Sequence, residues 1–69
     1  MEFEKEFKCR LKVIFAEREI GQGEFAKKIG ISEGAMSSLT NSKSGPSFRV
    51  LYKICEELDL DFREIWVRR

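Results

Sequence analysis

The spacing of apolar residues along the chain predicts helices almost throughout. Apolar side chains recur at intervals of three and four residues, which is the period of a helix with one buried face. Five helices follow, at residues 7–18, 22–29, 32–40 and 48–58, with a short fifth helix that opens at residues 61–64 and carries Ile65 and Trp66. No segment is assigned to a sheet. The fold class is therefore all-α, in five helices.

Residues 2–6 are the one stretch with two interpretations. The run "EFEKEF" alternates acidic and apolar residues, as a short strand does, and Phe3 also extends the apolar stripe of the first helix backward. Residues 1–6 are accordingly an extension or a frayed segment, either strand or helix.

Start and stop residues support these helices. Gly30 follows the second helix, where a glycine can take the left-handed conformation that ends a helix. Ser32 is a good N-cap for the third helix, because its hydroxyl can accept from a free amide of the first turn. Pro46 and Ser47 precede the fourth helix, and "DFRE" at residues 61–64 is a capping box.

The second and third helices have the spacing of a helix-turn-helix at residues 22–41. Two helices that cross steeply at a tight turn bring their backbones close together, so the first needs a small inward residue and the turn needs a glycine. Ala26 and Gly30 meet these needs, and Met36 and Leu39 supply the apolar side of the following helix. In DNA-binding proteins this unit places its second helix in a major groove.

Length and composition restrict the chain to one small globular domain. Its 69 residues suffice for one core, and 42% hydrophobic with 36% charged residues is ordinary for a folded protein. No apolar run approaches the roughly 20 residues needed to cross a membrane, and the first residues lack the pattern of a secretory signal. We expect a cytoplasmic protein with no membrane partner.

The net charge of +1 is unevenly distributed. Residues 25–55 carry five basic side chains against Glu33 alone, a net +4, whereas residues 1–24 and 56–69 carry −1 and −2. A basic middle between acidic flanks can orient a domain toward a polyanion, although a solvated surface explains the same numbers equally well.

The residues that carry catalytic chemistry are largely missing. There is no histidine, and the spacing of Cys9 and Cys55 suits no metal site, so we expect two small buried hydrophobic side chains rather than ligands or a disulfide. No nucleophile lies beside a candidate base. We expect no enzyme activity, metal, cofactor or small-molecule ligand.

From about Leu11 to Ile65, the sequence resembles the lambda-repressor-like domains of Cro and phage-repressor type, the XRE family. The resemblance rests on "GQGEFAKKIGISEGAMSSLTNSKSGPS" and on the closing "VLYKICEELDLDFREIW". It implies a sequence-specific protein that binds double-stranded DNA, of phage, prophage or bacterial type, acting as a transcriptional repressor. The recognition helix would be residues 32–40.

The resemblance also implies which residues meet DNA. Gln22 matches a glutamine that clamps a phosphate at the start of the second helix, where free amides favour an anion. Other positions match the base-facing side of the recognition helix: Ser32, Glu33, Gly34, Ala35, Ser37 and Ser38. The loop that grips the DNA backbone corresponds to Asn41, Lys43 and Ser44.

Two features depart from the family pattern, and Glu33 is unusual beside DNA. An arginine and glutamate that many members pair are replaced by Phe15 and Thr40, and the usual glycine after the recognition helix is Ser42, so we expect Asn41 to take the left-handed turn instead. Glu33 is repelled by phosphates. It either accepts from a cytosine amino group or simply suits the positive end of its own helix.

Two further questions concern partners. We expect a homodimer whose interface includes Ile65, Trp66 and Val67, although Trp66 capping the core explains the same sequence. The alternative function is a protein–protein interaction module, in which the small residues of the recognition helix contact an antitoxin-like or antirepressor partner.

Overall fold

The computed structural model describes residues 3–69 and is mostly helical, with one small sheet. Within these residues there are six helices, α1 (Phe3–Glu6), α2 (Leu11–Arg18), α3 (Gln22–Ile29), α4 (Glu33–Thr40), α5 (Phe48–Leu58) and α6 (Phe62–Ile65). The two strands are β1 (Phe7–Cys9) and β2 (Trp66–Arg68). The mainly helical fold predicted from sequence is confirmed.

One hydrophobic core joins the helices and the sheet. Most of the periodic apolar residues of α2, α3, α4 and α5 point inward, whereas Phe48 at the start of α5 is exposed. The largest fully buried side chains are Trp66, Leu11, Met36, Ile54 and Ile65. Each fully buried side chain of this kind stabilises the fold by about 1.5–3 kcal/mol relative to exposure. The core thus contains residues from both ends of the chain and from the helix-turn-helix.

The helix ends follow the sequence signals. Gly30 ends α3 in the left-handed region with φ 82°. The Ser47 hydroxyl accepts from the Val50 N–H at 3.3 Å, which caps α5. Asp61 forms the predicted capping box of α6 with Glu64. Local capping chemistry is therefore sufficient to place three of these boundaries.

The sheet corrects the prediction of a first helix from Phe7 and of a chain without strands. β1 and β2 are antiparallel, with Phe7 opposite Arg68 and Cys9 opposite Trp66. The Arg10 N–H then donates to the Ile65 carbonyl at 2.8 Å, and helix α2 begins only at Leu11. The helical period failed here because backbone pairing with a distant segment decided the conformation.

The segment left open as strand or helix is helical where the structure describes it. Phe3–Glu6 forms a single turn, and residues 1 and 2 of the segment lie outside the described residues. Phe3 stacks on Phe7 with ring centroids 4.9 Å apart, and Phe62 stacks on Trp66 at 5.7 Å. Residues 3–9 and 62–68, which these rings and the sheet hold together, are called the terminal region below.

The predicted dimer interface at the end of the chain is wrong for two of its three residues. Ile65 and Trp66 expose 0% and 2% of their surface, because both side chains lie within the core of the single chain. Trp66 also lies in β2 rather than in the last helix. Only Val67 is partly exposed. Trp66 therefore caps the core, as the alternative interpretation held.

Both cysteines are free thiols within the fold. Cys9 is buried at the end of β1 and Cys55 is partly buried on α5. Burial raises the pKa of each thiol, and the negative charge of Asp61 raises that of Cys55 further. Both therefore remain neutral near pH 7.

Candidate nucleic-acid interface

The turn between α3 and α4 fixes the helix-turn-helix. The Ile31 N–H donates to the Ala26 carbonyl at 2.9 Å, and the Gly30 N–H donates to Lys27 at 3.2 Å, so the turn satisfies the last carbonyls of α3. Ala26 and Met36 are both fully buried. The small side chain of Ala26 permits the close crossing that the spacing predicted.

The first turn of α4 is exposed and capped. The Ser32 hydroxyl accepts from the Ala35 N–H at 3.1 Å, and α4 itself begins at Glu33, one residue after the predicted start. Glu33, Gly34 and Ala35 are exposed, whereas Ser37 and Ser38 are half-buried. Apart from Glu33, the side chains on this surface are small and uncharged, so another molecule can approach the backbone of α4 closely.

Glu33 turns toward the start of α3. A Cβ atom placed on Gly23 would lie 3.2 Å from Oε2 of Glu33, so the carboxylate lies against the first turn of that helix. Its negative charge suits the positive end of the α3 dipole. The same contact brings the beginning of α4 next to Gln22, where the resemblance expects a phosphate.

The loop after α4 is held by its own backbone and side chains. The Lys43 N–H donates to the Ser38 carbonyl at 2.8 Å, and Asn41 Nδ2 donates to the Ser37 hydroxyl at 3.2 Å. Ser42 adopts φ 57°, whereas Asn41 has φ −92°. The expectation that Asn41 takes the left-handed turn is therefore wrong, and Ser42 takes it.

The terminal region supports this loop from the side. The Cys9 N–H donates to the Ser42 hydroxyl at 3.1 Å, and this bond joins β1 to the loop. A Cβ atom on Gly45 would lie 2.8 Å from the Phe3 ring, which therefore packs directly on the loop backbone. Sequence reasoning missed both contacts, because no local pattern links Phe3 or Cys9 to residues 42–45. Lys43 and Ser44 remain exposed between them.

The ten candidate residues lie along one strip of neighbouring positions. Glu33 lies against Gly23, the residue that follows Gln22, where the starts of α3 and α4 approach each other. Farther along, Ala35, Ser38 and Ser44 line one groove between α4 and the start of α5. The strip, called the α4 strip below, comprises Gln22, Ser32, Glu33, Gly34, Ala35, Ser37, Ser38, Asn41, Lys43 and Ser44.

The replacement of the family's arginine and glutamate pair by Phe15 and Thr40 leaves no buried charge without a partner. Phe15 and Thr40 are both buried, and the Thr40 hydroxyl donates to the Ser37 carbonyl at 3.1 Å. A buried hydroxyl with a partner costs little, whereas one half of a broken ion pair would leave a buried charge.

Residues 3–69 contain no group of three or more side chains from histidine, cysteine, aspartate and glutamate that could hold a metal ion. In the same residues, no helix is long and apolar enough to cross a membrane.

The fold, the tight turn and the strip together define a helix-turn-helix protein. The family model of the Cro/C1-type HTH DNA-binding domain matches residues 10–68, which is most of the chain. The chain therefore belongs to the Cro/C1-type helix-turn-helix DNA-binding domains, as the resemblance predicted. No curated protein matches the sequence.

Proposed function

We propose that the chain binds double-stranded DNA in a sequence-specific way, as a homodimer on paired half-sites. It represses transcription by occupying a promoter or operator in the cytoplasm of a bacterial or phage-infected cell. The observation that carries this proposal is the α4 strip. Small exposed side chains on α4 lie between a hydrogen-bonding helix start at Gln22 and a cationic loop at Lys43.

Small side chains on α4 favour close approach over long-range hydrogen bonding. Gly34 leaves room for a base or sugar edge, Ala35 suits contact with a thymine methyl group, and the Ser38 hydroxyl can donate or accept. Few long donors mean modest direct readout. Sequence preference then depends partly on DNA shape, and affinity on phosphate contacts.

The two ends of the α4 strip, at Gln22 and Lys43, bind DNA phosphates. The N-terminus of α3 offers free amides and a positive dipole end beside Gln22. At the other flank, Lys43 extends from a loop that is held by the Ser42 hydroxyl, which accepts from the Cys9 N–H, and by the Lys43 N–H, which donates to the Ser38 carbonyl. A fixed loop loses less conformational entropy on binding than a mobile one.

Titration with random-sequence duplex tests whether DNA is the partner. We expect binding at low salt that weakens by at least roughly tenfold between about 50 and 200 mM salt, because cationic side chains release counterions from the phosphates they neutralise. Absence of binding at low salt, or binding indifferent to salt, would contradict the proposal. That result would favour the protein-interaction module instead.

Two substitutions test the flanks. Lys43→Glu and Gln22→Ala should weaken binding to all sequences alike, and Lys43→Glu should also lower the salt dependence by about one unit of slope. Arg63→Glu is the matched control, because Arg63 lies on α6 and is 89% exposed at its side chain. An equal loss of affinity in this control would show that overall charge, rather than the strip, drives binding.

Selection of bound duplexes from a random pool tests specificity and symmetry together. We expect enriched sequences that contain an inverted repeat, since a dimer with twofold symmetry reads two half-sites. A pool that stays random after selection would contradict sequence-specific binding.

A further inference from the structure

The exposed side of α5 carries an aromatic pair that the core does not use. Phe48 and Tyr52 expose 80% and 60% of their surface, and their ring centroids lie 6.4 Å apart. Within the described residues, the remaining exposed large hydrophobic side chain is Val13, at 46% on a different helix. Exposed aromatic residues grouped on one helix face mark an interaction surface rather than ordinary scatter.

Charged residues on the same helix are ordered by sign. Arg49 lies in the first turn of α5 and Lys53 at its centre, whereas Glu56 lies in the last turn. Arg49, Tyr52 and Glu56 follow one another at intervals of three and four residues, so they share a face with Phe48 one position away. Neither Arg49 nor Glu56 forms an ion pair within residues 3–69.

This order of charges identifies a second copy of the same helix as the complementary surface. In an antiparallel pair, the basic first half of one helix meets the acidic second half of its partner. With the twofold axis near Tyr52, the two Tyr52 rings meet at the centre, and Arg49 of each chain meets Glu56 of the other. Both charges that lack a partner in the single chain then gain one.

The start of α5 lies next to the α4 strip. Ser47 and Val50, at the start of α5, line one groove together with Ala35 and Ser38 of α4. A pair of chains that meet through the exposed face of α5 would therefore hold their two α4 strips in a fixed relation to each other.

We propose that two copies of the chain pair through the exposed face of α5, antiparallel, with Phe48, Arg49, Tyr52 and Glu56 at the interface. This inference rests on the proposed function, because it supplies the dimer that reads paired half-sites. Helix α5 has 11 residues, a length of about 16 Å, so the interface is small. An interface of this size is typical of weak association, so the free dimer should dissociate readily on dilution.

Sedimentation of the full chain without DNA tests the pairing independently of DNA binding. We expect a monomer–dimer equilibrium between roughly 5 and 500 μM, and at least about tenfold weaker association for Phe48→Ser combined with Tyr52→Ser. Val13→Ser, which also removes an exposed hydrophobic side chain, should leave association unchanged. A chain that stays monomeric throughout, or association unaffected by the double substitution, would overturn the proposal.

A charge exchange tests the antiparallel arrangement. Arg49→Glu alone and Glu56→Arg alone should each associate at least about tenfold more weakly than the original chain, because each places like charges opposite one another twice. An equimolar mixture of the two variants should form a heterodimer at least as tightly as the original chain. Failure of the mixture to associate would overturn this arrangement.

Two readouts separate failure to pair from failure to fold or to bind DNA. Circular dichroism melting of each variant in dilute solution, where the original chain is monomeric, should match the original chain, since Phe48, Arg49, Tyr52 and Glu56 are all exposed. A monomer that still binds random duplex with the expected salt dependence would overturn the α5 interface and leave DNA binding intact. A dimer that binds no duplex would support the α5 interface and contradict DNA binding.

Discussion

The helix-turn-helix unit, residues 22–41, and the terminal region are built in opposite ways. The helix-turn-helix depends on contacts close in sequence, such as the Ile31–Ala26 hydrogen bond across its turn. The terminal region depends on contacts between the two ends of the chain, with Phe7 opposite Arg68. The first unit carries eight of the ten residues of the α4 strip, and the second supports the loop that carries the other two, Lys43 and Ser44. A candidate DNA-binding surface can thus be encoded mainly by local sequence and yet depend on distant packing.

The largest expected effect is loss of Trp66 from the terminal region. Trp66→Ala should lower the free energy of unfolding by about 3–5 kcal/mol, because it removes a side chain only 2% exposed together with its ring contacts to Phe62 and Phe3. Urea unfolding followed by circular dichroism measures the change. Phe48→Ala in dilute solution is the control, since that ring is 80% exposed and should cost little. A loss for Trp66→Ala no larger than about 1 kcal/mol would contradict a stabilising role of Trp66 in the terminal region.

The next largest effect is expected at the turn of the helix-turn-helix, which depends on local contacts. Gly30→Ala should destabilise the chain by about 1–2 kcal/mol, because φ 82° is unfavourable for any residue with a Cβ atom. The space around Gly30 is open, with Lys53 Nζ 4.0 Å from the added atom, so backbone strain alone is measured.

A second glycine provides the control for this strain. Gly34→Ala in α4 should change stability in the other direction, by up to about 1 kcal/mol, since Gly34 lies within a helix and alanine is the better helix former. Thermal melting of both variants gives the comparison. The same sign of change at Gly30 and Gly34 would contradict the assignment of strain to the turn.

A smaller effect tests the link between the two regions. Ser42→Ala should cost about 1 kcal/mol, because the Cys9 N–H loses its acceptor while the backbone stays left-handed. Ser42→Gly loses the same bond but relieves the strain at φ 57°, so its net effect should be close to zero. Amide hydrogen exchange should quicken at Cys9 in both variants. Unchanged exchange at Cys9 would show that this hydrogen bond does not join the regions.

The smallest expected effect concerns Glu33 and DNA affinity. Glu33→Gln should strengthen binding to all duplexes by about threefold, because the carboxylate beside Gly23 repels a phosphate at the start of α3. The order of preferred sequences should stay the same. Competition titrations against several duplexes measure both quantities. A changed order of preference with unchanged average affinity would instead assign Glu33 to a base edge.

The two regions also differ in how far the sequence predicts them. The glycine at the turn, the Ser32 cap and the inward Ala26 and Met36 are all local requirements, so their spacing predicted the helix-turn-helix correctly. Strand β1 has three residues, too few for a period to show, and its pairing with β2 is set by the packing of Trp66. The alternation in the sequence lay at residues 2–6, just before the strand.

The candidate site was predictable as residue types but not as geometry. The sequence marked Glu33 as awkward near phosphates, yet its contact with the first turn of α3 depends on how closely the two helices cross. Likewise, Ser42 was noted as a departure, but its left-handed φ and its bond to Cys9 follow from a strand that no local signal reveals. Side-chain direction and distant packing account for these differences.

The sheet has a consequence for the topology of the chain. The Arg69 N–H donates to the Glu6 carbonyl at 2.9 Å, and the Arg69 side chain reaches the Glu4 carbonyl at 3.2 Å. A short peptide joining residue 69 to residue 3 would therefore close the backbone into a ring with little change in the folded geometry. Such a ring restricts the unfolded ensemble far more than the folded state, so cyclisation stabilises this fold through entropy.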